Sequence, residues 1–202
     1  MTLLFLKGLA FGFVLAATVG PMWLLCLRRT LAYGAAAGLA SGMGVAVADG
    51  LYGAVAAFGL TAVTGLLLAH RFWIGLAGAV FLFYLGVKTL RSVPAADGDA
   101  AKPASYAQAF LSTLGLTLAN PPTILAFAAI FAGLELAANA DYAAAALVTL
   151  GVFLGSAAWW LVLAAIAGTL RARLGPPLLR AVNVVSGLTI LGFALWQTAQ
   201  IL

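Results

Sequence analysis

An all-α, polytopic membrane protein of six transmembrane helices, arranged as two inverted three-helix repeats, is the fold class the sequence predicts. Three observations predict it. Of 202 residues, 65% are apolar and 7% charged, and mean hydropathy is +1.14, whereas a soluble domain carries about 45–50% apolar and about 25% charged residues. Six long apolar runs divide the chain, and because a spanning helix needs about 20 residues they leave room only for short connections. Lysine and arginine concentrate in alternate connections, as they do on the cytoplasmic side of membrane proteins. Strands of a barrel would show short alternating segments instead, a pattern missing from runs such as 143–168.

The first run, 3–27, holds Lys7 inside its apolar stretch and continues through Gly20-Pro21. A secretory signal places its basic residues ahead of the apolar segment, so an uncleaved helix is expected. The second run, 35–60, carries Gly38, Gly42, Ala46, Gly50 and Ala54 at a spacing of four from Gly34, a stripe that lets another helix approach closely. Such a stripe serves intrachain packing or a homodimer equally well. Asp49 lies beside it, the one acid deep inside a span. A charge there costs about 2.5–3.5 kcal/mol on insertion scales, so it is expected to face the bundle interior and to hold a cationic group or exchange a proton.

The third run, 72–90, ends at the linker 92–105, rich in Pro, Ala, Asp and Gly. This linker separates a first repeat, 1–91, from a second, 106–202. The fourth run, 106–134, contains Asn120-Pro121-Pro122 where the first contains Gly20-Pro21. Proline lacks an amide hydrogen and clashes with the preceding turn, so both helices are expected to break and to free backbone groups that must line a wet cavity. Paired breaks in the two halves point to a substrate site. The fifth run, 142–170, places Trp159 and Trp160 far from the interfacial belt where tryptophan usually sits. The sixth, 178–201, has Asn183 near its start. With Thr18 and Thr117, Trp159 and Asn183 are candidates to line a pathway; Ser41 reads as a hydrogen-bonding group between helices.

Orientation follows from the basic residues. Arg28, Arg29, Lys88, Arg91, Lys102, Arg171, Arg173 and Arg180 fall in the connections after the first, third and fifth spans, against Lys7 and Arg71 on the other side. Those three connections are expected in the cytoplasm and both termini in the periplasm, with Arg28 and Arg29 as orientation anchors. Three spans per half then thread the second half upside down relative to the first.

Enzymatic chemistry is disfavoured. No phosphate-binding glycine loop is present, Cys26 is the only cysteine and His70 the only histidine, and no serine or cysteine has an evident base partner. No cofactor, metal site or nucleic-acid partner is expected. The partners expected are a small solute, a coupling ion, and membrane lipid.

Taken in order, Gly8-Leu9-Ala10-Phe11-Gly12, Gly20-Pro21, Asp49, Tyr84-Leu85-Gly86 and Asn120-Pro121 resemble the LysE/RhtB family of amino-acid exporters along nearly the whole chain. Its arginine-exporter branch is the most similar, through Asp49, Trp159, Asn183 and Gly187. The resemblance implies an inner-membrane carrier exporting amino acids or related small molecules with an ion gradient; alternating access is the expected mechanism, and the buried Asp49 favours basic amino acids as substrates and the proton as coupling ion. It places the substrate site at Gly20, Pro21, Asp49, Asn120 and Pro121. Exporters of metal ions or other small solutes, and a channel, are the alternatives. The sequence departs from the family pattern at Pro122, where many members have lysine, and at Met22-Trp23, where more polar residues are common. Both departures make the expected cavity more apolar. The family's thiol-redox relatives require a cysteine pair, and its nickel/cobalt relatives a histidine-rich loop; this chain has neither.

Overall fold

In the computed structural model, residues 1–58, 65–67, 69–92, 105–120, 123, 126–127, 142–171 and 173–201 are described. Their regular structure is helical throughout. Seven helices are delineated: α1 (Thr2–Ala17), α2 (Pro21–Tyr33), α3 (Ala35–Ala57), α4 (Arg71–Leu90), α5 (Tyr106–Leu118), α6 (Tyr142–Arg171) and α7 (Pro176–Ile201). Helices α3, α4, α6 and α7 are long and apolar enough to cross a membrane, and α1 with α2 makes a fifth candidate span bent by 74°. The helix that opens the expected fourth span ends at Leu118, and beyond it only 119–120, 123 and 126–127 of that span are described.

The first run therefore contains two helices. Thr18 leaves helical conformation at ψ 125°, and α2 restarts with Pro21 at its first position after an extended Gly20, where proline's fixed φ and missing donor suit a helix start. The sequence reading ended this element at residue 27, but α2 runs on to Tyr33. Arg28 and Arg29 are thus corrected from loop anchors to helical residues, and Arg28 is only 6% exposed. One residue, Gly34 at φ +93°, turns the chain from α2 into α3; this left-handed conformation carries little penalty only for glycine.

Small residues bring the helices together. Gly8 and Gly12 of α1 meet the backbone of Val148 and Val152 in α6, while Gly151 and Gly155 of α6 meet the backbone of Phe5 and Leu9 in α1. A Cβ at any of these four positions would enter the facing helix. On α3, Gly42 rests on Trp160 and Gly50 on Phe153 of α6, Gly44 sits against Phe110 and Thr113 of α5, and Gly38 against Thr30 of α2. The stripe of span two is consumed within the chain. Helix α4 packs along α7, with Gly86 against Leu191 and Gly187 against Leu90.

These contacts fix relative directions. Residues ascend together in α1 and α6 (Gly8 on Val148, Gly12 on Val152) and in α3 and α5 (Thr113 to Ser41, Leu118 to Tyr52). They run oppositely in α3 and α6 (Gly42 on Trp160, Gly53 on Val152) and in α4 and α7. The opening helix of each half thus lies along the middle helix of the other half, and the two closing helices pair with each other. Large apolar side chains remain outside, among them Leu3, Val14, Val80, Ile166, Val185 and Leu195, a surface suited to lipid rather than water.

Candidate functional site

The break between α1 and α2, the middle of α3 and the end of α5 converge on one cavity of about 330 Å³. Its wall includes Thr18, Gly20 and Pro21 from the first break, Asp49 from α3, and Thr117 and Asn120 from the second. Pro121 and Pro122 lie outside the described residues. Of the other sequence-selected residues, Trp159 and Asn183 do not line it. Trp159 packs edge-on against Phe13 with ring centres 5.4 Å apart, and its neighbour Trp160 takes the cavity wall. One residue along a helix turns a side chain by about 100°.

Asp49 is 2% exposed. Its carboxylate accepts a 2.7 Å hydrogen bond from the Ser156 hydroxyl of α6, which leaves acceptor capacity on both oxygens. Ser156 could not be singled out in the sequence, because only the antiparallel register of α3 and α6 brings it to Asp49. Gln197 of α7 also reaches the wall, its amide donating to the Gly75 carbonyl of α4 at 2.7 Å. At the second break, Asn120 has left the helix and donates from Nδ2 to the Thr123 hydroxyl at 2.8 Å.

Three buried polar atoms in the wall have no hydrogen-bond partner among the described residues: Trp23 Nε1, Trp160 Nε1 and Thr117 Oγ1. Unpaired buried groups are costly, and these three belong to residues that share the cavity with Asp49. The first turn of α2 adds main-chain donors. Leu24 N is the first amide to bond back, to the Gly20 carbonyl at 3.1 Å, so the Met22 and Trp23 amides are left over, as at any helix start. Both residues line the cavity. One wall therefore carries a carboxylate and another the positive end of a helix, a pairing that complements a solute with an ammonium and a carboxylate group.

A second cavity, of about 620 Å³, lies toward the C-terminal part of α2 and is lined by Arg28, Arg29, Lys88, Ser105 and Gln108 among others. Apolar residues separate the two. Met22, Val45 and Trp160 face the first cavity, Leu25, Leu85 and Leu116 face the second, and all six belong to one buried cluster. Along α2 the transition from Met22 to Leu25 is less than one helical turn, about 5 Å, so the partition is roughly one layer of side chains thick.

Asn183 belongs to the Arg28 side. Its Oδ1 accepts from Arg28 Nε at 3.1 Å, and the Ser92 hydroxyl accepts from Arg28 Nη2 at 2.6 Å. These bonds tie α2, α7 and the end of α4 together. Arg29 reaches the other way, donating to the Ser41 hydroxyl (3.0 Å), the Ala109 carbonyl (2.9 Å) and the Ser112 hydroxyl (2.9 Å).

The model of one protein family, described as LysE type translocator, matches residues 13–197. Among curated proteins, the chain is 36% identical over 121 residues to an uncharacterized membrane protein of Pseudomonas aeruginosa, covering 55% of each chain. It is 30% identical over 134 residues to a Bacillus subtilis protein named "Putative amino acid efflux protein YcgF", covering 65% of this chain and 63% of that one. The matched stretches thus span less than two thirds of either relative's length. No solved structure matches the chain.

Proposed function

The chain belongs to the LysE type translocator family, and we propose that it is a secondary exporter of amino acids or related small solutes, working by alternating access across the inner membrane. The observation that carries this reading is the shared cavity: two helix breaks and the deepest carboxylate of the sequence line the same space. In this mechanism the free amides of Met22 and Trp23 receive the substrate carboxylate, and Asp49 holds its ammonium group or exchanges the coupling proton. The lone carboxylate favours a cationic or zwitterionic amino acid over an anionic one.

Two further features support it. The helices that correspond between the halves, α3 with α6 and α4 with α7, run in opposite directions, as an inverted repeat requires. A carrier also needs a thin seal that can reform on either side of its solute, and the apolar layer between the two cavities has that character, whereas a channel needs a continuous wet path. Both termini are assigned to the periplasm by the distribution of basic residues. Coupling follows only if solute and proton bind the inward and outward states with different free energies, and Asp49, hydrogen-bonded between α3 of one half and α6 of the other, is placed to sense that difference.

The test is efflux of labelled arginine, lysine, leucine and threonine from cells producing the protein or its Asp49→Asn variant at matched membrane levels. Asp49→Asn is expected to lower export at least tenfold. Undiminished export by the variant removes Asp49 from the mechanism, and no efflux of any amino acid by the unaltered protein refutes the substrate class.

A further inference from the structure

Among the described residues, no acid offsets the positive charge gathered at the second cavity. Arg28, 6% exposed, and the adjacent Arg29 make five hydrogen bonds, and every acceptor is neutral: the Ser92 hydroxyl and the Asn183 amide oxygen for Arg28, the Ser41 and Ser112 hydroxyls and the Ala109 carbonyl for Arg29. Two guanidinium groups carry ten N–H donors, so the bonds to described residues engage about half of them. Lys88 stands at the exposed side of the same cavity, its Nζ 5.8 Å from the centre of the Tyr84 ring. Ser105 and Gln108 bring in the N-terminal end of α5, whose dipole adds further positive potential. Asp49 is the only acid among the described residues, and it lines the other cavity. Like charges gathered in a region of low dielectric repel strongly and are poorly hydrated.

We propose that this cavity is a second binding site, for the carboxylate group of the solute the protein moves, on the opposite side of the apolar partition from Asp49. Arg29 supplies a forked pair of donors suited to a carboxylate, Arg28 deepens the potential, and Lys88 captures the anion at the rim. A solute would then meet a carboxylate-binding wall in both cavities and its ammonium partner, Asp49, in only one. That the occupant is the exported solute rests on the export reading; recognition of the anion does not.

The experiment uses the full chain in discs of neutral phosphatidylcholine, with benzoate as probe and benzamide as its uncharged counterpart. Benzoate is expected to bind at least tenfold more tightly than benzamide. Lys88→Gln, on an exposed side chain, is expected to weaken it about threefold, and Arg29→Gln at least tenfold, with Arg29→Lys in between. Asp49→Asn and Gly20→Leu are expected to leave intact the component of benzoate binding that Arg29→Gln removes, while altering amino-acid export, which separates failure of this site from failure of the export reading. Equal binding of benzoate and benzamide, or unchanged binding in both Lys88→Gln and Arg29→Gln, overturns the proposal. Displacement of benzoate by phosphatidylglycerol in the discs but by none of the four amino acids assigns the site to a lipid phosphate and also overturns it.

Discussion

Replacing Gly12 by alanine tests the backbone-to-backbone contact between α1 and α6. A Cβ built there would lie 2.8 Å from the carbonyl carbon and 2.9 Å from the Cα of Val152, and closer still to its carbonyl oxygen. These distances are about half an ångström or more inside ordinary contact between carbon atoms. No flexible side chain can give way, since all three obstacles are backbone, so α1 must move off α6. Overpacking of this kind costs about 1–3 kcal/mol, offset by about 1 kcal/mol that alanine gains over glycine in a helix. Gly192 of α7 is the control, because a Cβ there meets nothing within 4 Å, and Gly192→Ala should keep the helical gain in full. The two variants are therefore expected to differ by about 2 kcal/mol, which for a chain of this length separates their unfolding midpoints by about 4–8 °C. Thermal unfolding in one detergent, followed by far-ultraviolet circular dichroism, measures the difference. Equal midpoints would mean that α1 and α6 do not rest backbone against backbone.

Three other outcomes follow from the geometry. Gly20→Leu places a side chain where the backbone is extended and nothing lies within 4 Å of its Cβ; it should fill the first cavity, reduce export at least tenfold and leave the unfolding midpoint unchanged. Asn183→Leu strands the buried Arg28 Nε and should destabilise the protein by about 1–3 kcal/mol, whereas Asn183→Asp, which supplies a charged acceptor, should not; chemical denaturation distinguishes them. Trp160→Phe removes an indole donor from the cavity wall and should weaken substrate binding about two- to tenfold, the range of one hydrogen bond, while Trp159→Phe should leave affinity unchanged, as measured by isothermal titration.

What the sequence discloses about this molecule is what depends on chain chemistry alone. Long apolar runs announce the helices, and the starts of α4, α6 and α7 lie within two residues of the expected positions. Gly20-Pro21, Asn120 and Asp49 announce themselves because a proline or a charge inside an apolar run is expensive, and they do meet at one cavity. Other features depend on the register between helices, which no local pattern encodes. Ser156, Gln197 and the choice of Trp160 over Trp159 are of this kind. Arg28 and Arg29 depart from the expectation for a related reason: basic residues after an apolar run ordinarily mark its end in water, but here serines, an asparagine and a carbonyl from elsewhere in the fold accept part of their donors.

The exchange of opening helices between the halves has a consequence for how the protein is made. Helix α1 precedes α6 in the chain, with Gly8 and Gly12 cut to fit a surface that includes Val148 and Val152. That surface does not exist until most of the chain has been synthesised. During insertion α1 must therefore wait in the bilayer with its narrow face against lipid or against the insertion machinery, and the first half cannot settle before the second arrives. The α1–α6 contact can form only late, and long-range closure of this sort is slow and exposed to mispairing.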